Sequence, residues 1–214
     1  MKGRWAAGIV PRNFAWIVKD KLAVSERPGG YAPYHRRVRR HEEILWLRGH
    51  GFTRVVSLLP SQHNLHAYEE LGLAHSHFPI PTQSDPREEL AECYSALLTW
   101  LRVGERVLVH QEELGDRLAG IMAGFLCWSG VLPEPPQAIS AVEQLLRRQM
   151  GNAGRSLAII AVELPPPPPA PEPITLPATP APSVEPVAEV AAEVAAGAPA
   201  PPPRVRRRSP RPMD

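Results

Sequence analysis

The chain has 214 residues, 43% of them hydrophobic, enough for one core of ordinary size, but 27 prolines are too many for a single compact fold. Its net charge of +2 gives no ground by itself for a nucleic-acid or membrane surface, and no run of about 18 apolar residues is present to span a bilayer. The two cysteines, Cys93 and Cys127, fall in apolar, helix-like surroundings without metal-type spacing and read as core residues, not as a disulfide.

Taken in chain order, the N-terminal MKGRWAAGIVPRN has an apolar stretch too short for a signal peptide, so a soluble, cytoplasmic protein is expected. NFAWIV and KLAVS read as short strands joined by a turn, and ERPGGYAP reads as a loop. HRRVRRHEEILWLRGHG predicts an amphipathic helix with Val38, Ile44, Leu45 and Leu47 on one side, stopped by Gly49 and Gly51. Its basic side reads as a solvated face, with an acidic partner or nucleic acid as the alternatives. RVVSLLP is a buried-type strand, and NLHAYEELGL a short helix with Asn64 as cap candidate. AHSHFPIP is a strand running into a proline turn. His75 and His77 alternate along it, but no third ligand is apparent, so no metal and no cofactor is expected. DPREELAECYSALLTWLRVG carries strong helix signals: Asp85 as cap, proline next, glutamates in the first turn and glycine at the end. RVLVH is a buried strand, DRLAGIMAGFLCWSG an apolar helix with small residues on one side, and PPQAISAVEQLLRRQM an amphipathic helix. RSLAIIAVEL is ambiguous between strand and helix. Strands alternating with helices predict an α/β domain over residues 1–163, with a mostly parallel central sheet flanked by helices.

From residue 164 the composition changes to a Pro/Ala-rich segment with almost no large apolar side chains. Such a segment cannot bury enough surface to offset its ordering entropy, so a disordered tail over 164–214 is expected, ending in the basic RVRRRSPRP. Within it, PAPPPR fits a ligand for a polyproline-recognising domain, and the basic end suits an acidic surface.

One segment carries recognisable chemistry. In VLVHQEELGDRLAG a buried strand ends at His110, a short acidic loop follows, and Arg117 opens a helix. In parallel α/β sheets this is where ligands bind: loop amides and the helix N-terminus favour an anion, and an arginine at the rim grips two of its oxygens.

These features resemble the cysteine-dependent protein tyrosine phosphatase superfamily, and within it the atypical dual-specificity phosphatases, whose loop runs strand–HCxxGxxR[ST]–helix. His110 and Arg117 stand at that motif's spacing, NFAWIVKDKLAVSERPG is similar to the family's N-terminal segment, and RVVSLLP and HFPIP fall in the family's order. The likeness runs over about residues 12–150 and implies the phosphatase fold. The departures lie at the catalytic positions. Gln111 stands where the family has its nucleophile, Leu114 at the loop glycine, Leu118 at the trailing hydroxyl residue and Thr82 at the general acid. Asp85, three residues on, is the one candidate for a displaced acid, although capping its helix is the simpler use.

The resemblance therefore implies a degenerate catalytic loop, a pseudophosphatase that acts as a binding or regulatory module. The alternatives are a divergent active phosphoester hydrolase and a scaffold working mainly through its tail. A protein partner is expected, phosphoproteins among the candidates, and no membrane. If phosphate still binds, Arg117 and the loop residues Glu112, Glu113, Leu114, Gly115 and Asp116 would surround it. Against this, each unit charge at ~7 Å and effective dielectric ~20 repels an anion by about 2 kcal/mol, and Leu114 is expected to obstruct the tight curl that glycine allows. The loop is expected to close on itself instead, with Arg117 paired to Glu112 or Glu113.

Overall fold

A computed structural model describes residues 8–30 and 36–169. By contacts the chain divides into Met1–Ala170 and Pro171–Asp214. The segment from residue 170 on, with the PAPPPR stretch and the basic end, lies outside the described residues.

Five strands form one sheet in the order β1-β2-β5-β3-β4: β1 (Ala15–Val18), β2 (Leu22–Glu26), β3 (Arg54–Ser57), β4 (Ala74–His77) and β5 (Val107–Gln111). The β1–β2 hairpin is antiparallel and every other pairing is parallel, so β2 to β5 all end on one edge. Alternation along the strands sends side chains into two cores. Ala23, Val55 and Leu108 point to one face, where α1 (Arg37–Gly49) and α2 (His66–Glu70) cover them with Ile44, Leu47 and Tyr68. Val24, Val56, Val107 and Val109 point to the other. That face is covered by α3 (Arg87–Arg102), α4 (Asp116–Trp128), α5 (Pro135–Leu146) and α6 (Asn152–Ile160). The expected mostly parallel sheet with flanking helices is what forms.

Three local readings change. The buried positions of α1 are Arg40, Glu43, Ile44 and Leu47, a stripe of period three to four; Val38 is not on it and stands 75% exposed. Asn64 does not cap α2. It adopts φ +67, Leu65 holds the cap position, and no side chain caps the helix. The ambiguous RSLAIIAVEL is helical, as α6 and a 3-10 turn at Ala161–Glu163, because Leu157, Ala158 and Ala161 repeat at helical spacing against α4. Beyond that turn the chain stays on the domain: Leu164 is buried, and the indole of Trp128 donates to the Pro165 carbonyl at 2.6 Å.

Candidate functional site

At the carboxyl edge of the sheet a cavity of about 370 Å³ opens between the segments that follow β3, β4 and β5. Leu58, Leu59, Pro60 and Ile80 make its apolar wall; Thr82, Gln111, Glu112, Glu113, Gly115, Asp116 and Arg117 make its polar side. The sheet registers set this arrangement. β5 lies between β2 and β3, with His110 paired to both Ser25 and Ser57, and the Leu58 amide donates to the His110 carbonyl at 3.0 Å. The chain then turns at Gly115, the cap position of α4, which no side chain fills. The first-turn amides of α4 consequently lack intrahelical partners.

His110 is fully buried on the α2 side, its Nε2 hydrogen-bonded to the Tyr68 hydroxyl at 3.1 Å. Burial, then the nearby Arg27 charge, pushes its pKa down to about 3. It is therefore a neutral imidazole that supports the loop from below. Its own Nδ1 and the Oγ of the neighbouring buried Ser57 make no hydrogen bond, whereas the partly buried His77 donates from Nε2 to the Leu59 carbonyl at 2.7 Å and so holds the apolar wall. His75 is 3.7 Å from Glu69. Among the described residues no group of three potential ligands is placed to hold a metal.

The expectation that Arg117 pairs with Glu112 or Glu113 is corrected. Arg117 lines the cavity and donates from Nη2 to the Pro81 carbonyl at 2.7 Å, and no ion pair to it exists among the described residues. Glu112 is paired instead with Arg27, at 2.9 Å across 85 residues of sequence, and Arg27 also donates to the His63 carbonyl at 3.2 Å. Asp116 turns away to α6, where its carboxylate accepts from the Gly151 amide at 2.5 Å and the Gly154 amide at 2.8 Å. Two of the three acids thus have partners that reduce their effect on an anion, Glu112 a guanidinium and Asp116 two backbone amides, and only the Glu113 carboxylate has neither among the described residues. Leu114 faces the domain. It is absent from the few non-glycine residues with positive φ, its side chain packs against the core of the α4 face, and its carbonyl accepts from Arg148.

Asp85 is not brought to the cavity. Its Oδ1 accepts from the Arg87 amide at 3.2 Å, and its Oδ2 pairs with the Arg87 guanidinium at 2.8 Å, so it works just before α3, whose cap position is held by Pro86 and not, as expected, by Asp85. Thr82 is the residue that lines the cavity from this segment. Neither cysteine reaches it. Cys93 is fully buried, and desolvation pushes its thiol up to about 12; Cys127 is buried and donates to the Pro133 carbonyl at 3.0 Å. Arg27 and Arg148 are the contributors that sequence reasoning missed. They lie far along the chain from the loop, in stretches whose only signal was a turn and a helix end.

Chemically, the cavity offers an apolar wall, a neutral amide at Gln111, a hydroxyl at Thr82 and the guanidinium of Arg117. Among the described residues, no cysteine or serine side chain lines it.

The chain matches no protein-family model and no curated protein. Solved structures do match. Tk-PTP in its active form is 21% identical, with 71% of this chain and 96% of that chain covered and a TM-score of 0.56. A kinase associated phosphatase with its catalytic-site cysteine replaced by serine is 19% identical, with 70% and 93% covered and a TM-score of 0.59. Human DUSP28 is 19% identical, with 73% and 97% covered and a TM-score of 0.55. At these identities the likeness is one of fold, and it assigns the described domain the tyrosine and dual-specificity phosphatase fold.

Proposed function

We propose that this chain, built on the phosphatase fold, is a pseudophosphatase: a phosphatase-like protein that does not turn over phosphoesters and works by binding a protein partner. The observation that carries the reading is Gln111. It ends β5 and lines the cavity between His110 and Arg117, at the position where the resembling motif has its cysteine. A carboxamide is no nucleophile, so no phosphoenzyme forms, and Thr82 has no acidity to protonate a leaving oxygen. The fold's frame persists around that change, which supports a role in binding. The unpaired, buried thiols fit a reducing compartment, and we place the protein in the cytoplasm.

The test is turnover of a generic aryl phosphate by the purified full chain, beside a phosphate titration of the wild type and of Gln111→Cys with Glu112→Gln and Glu113→Gln. No release of phenolate above background is expected. Steady turnover that disappears in Arg117→Lys would overturn the reading in favour of a divergent hydrolase. The titration reports whether anything anionic still docks. Binding only in the triple variant would show that Gln111, Glu112 and Glu113 together exclude the anion.

A further inference from the structure

A second concavity of about 620 Å³ lies at the start of α1, lined by Ile9, Arg12, Arg36, Val38, Arg39 and Glu42. It shares no lining residue with the cavity of the degenerate loop. Segment 8–10 is held onto α1 at one point: the Ile9 amide donates to the Glu42 carbonyl at 3.2 Å. A Cβ at Gly8 (φ +71) would come within 2.4 Å of that same oxygen, so only glycine permits the approach. This brings Ile9 beside Val38, and the two remain 50% and 75% exposed.

The rim is basic, and its charges are ordered from behind. Arg12 lies 3.6 Å from Glu26, and Arg39 lies 2.7 Å from Glu43. Glu26 and Glu43 are themselves buried, so Arg12 and Arg39 are each ion-paired from within, and among the described residues Arg36 is the lining guanidinium without an ion pair. Arg36 and Arg37 are exposed and have no ion pair among the described residues. The first turn of α1 has no acidic residue and no side-chain cap, so the positive end of the helix dipole adds to these charges. Among the described residues, Glu42 is the one acid lining the groove.

We propose that this groove docks an acidic peptide segment of a partner protein, its carboxylates on Arg12, Arg36 and Arg39 and an apolar side chain against Ile9 and Val38. The exposed apolar pair Ile9 and Val38 and the interrupting Glu42 favour a peptide over a phosphate backbone, which would need a continuous basic track. The inference is independent of whether the loop is inert.

The experiment measures fluorescence anisotropy of a labelled short peptide alternating glutamate and leucine, titrated with the full chain. A lysine/leucine counterpart and a short single-stranded oligonucleotide serve as competitors. The expected result is binding of the acidic peptide that weakens with added salt and falls about tenfold or more in Arg36→Glu. A glutamate at this position suits the helix N-terminus, so that variant keeps the fold. Val38→Ser, at an exposed position, should also weaken binding and test the apolar contact. No binding at low salt, equal binding by both variants, or displacement by the lysine/leucine peptide would each overturn the proposal. Preferential binding of the oligonucleotide would overturn it too, and would assign the face to nucleic acid. None of these outcomes bears on aryl phosphate turnover, so this proposal and the reading of the loop fail separately.

Discussion

Gln111 and His110 are adjacent in sequence and opposite in consequence. Gln111 faces the cavity and sets its chemistry, whereas His110 faces the α2 core and is held neutral there. The pH dependence of stability follows from the second. In the unfolded chain the imidazole titrates near its ordinary value of 6.5, and burial in the fold pushes it down to about 3. Between these values only the unfolded state takes up the proton, so this contribution is complete above about pH 6.5 and is lost as pH falls toward 3. The slope is on the order of 1 kcal/mol per pH unit. Urea denaturation of wild type and His110→Gln across that range should give curves that converge as the pH falls; parallel curves would show that His110 is not the neutral buried group described. The same residue scale shows where the sequence was readable. The spacing of His110 and Arg117 located the loop, and the glutamine at the resembling motif's cysteine position was visible by inspection. The direction of each acid was not, because Arg27, Pro81 and Gly151 reach the loop only through the fold.

At the scale of elements, the loop is set by what α4 packs against. Asp116 links the start of α4 to the start of α6, and further along the two helices approach so closely that a Cβ at Gly120 would meet the Gly154 carbonyl at 2.3 Å. Gly120→Ala should therefore force the helices apart and destabilise the domain by about 1–3 kcal/mol, read as a lower midpoint in chemical denaturation. An unchanged midpoint would mean the crossing is looser than described. The small residues on one side of DRLAGIMAGFLCWSG were legible in the sequence. That the neighbour is the helical part of RSLAIIAVEL was undecidable from a short apolar run, since strands and buried helices share that pattern. The misplacement of Val38 has the same origin. Apolar identity put it with Ile44 and Leu47, yet the helix phase puts Arg40 and Glu43 inside and Val38 out, and burial of Glu43 is supported by Arg39 and the Gly29 amide.

For the whole molecule, the two cores on either side of the sheet decide which groups are reactive. Cys93 lies in the core of the α3–α6 face, and its raised pKa leaves almost no thiolate at neutral pH. In a Cys127→Ser background, labelling of Cys93 by a thiol reagent should follow global unfolding by urea, as seen by circular dichroism. Labelling well before that transition would show a local opening. The alternation of elements, the buried strands and the position of the loop between β5 and α4 were determined by the sequence alone, because periodicity and helix signals act over a few neighbouring residues. Tertiary structure decided the rest: that Glu112 is paired by Arg27, that Asp116 serves α6, that Asp85 serves α3, and that Ile9 and Val38 share a basic groove. Each of these joins residues from separate elements, and only the packing of the sheet and its helices sets their distances.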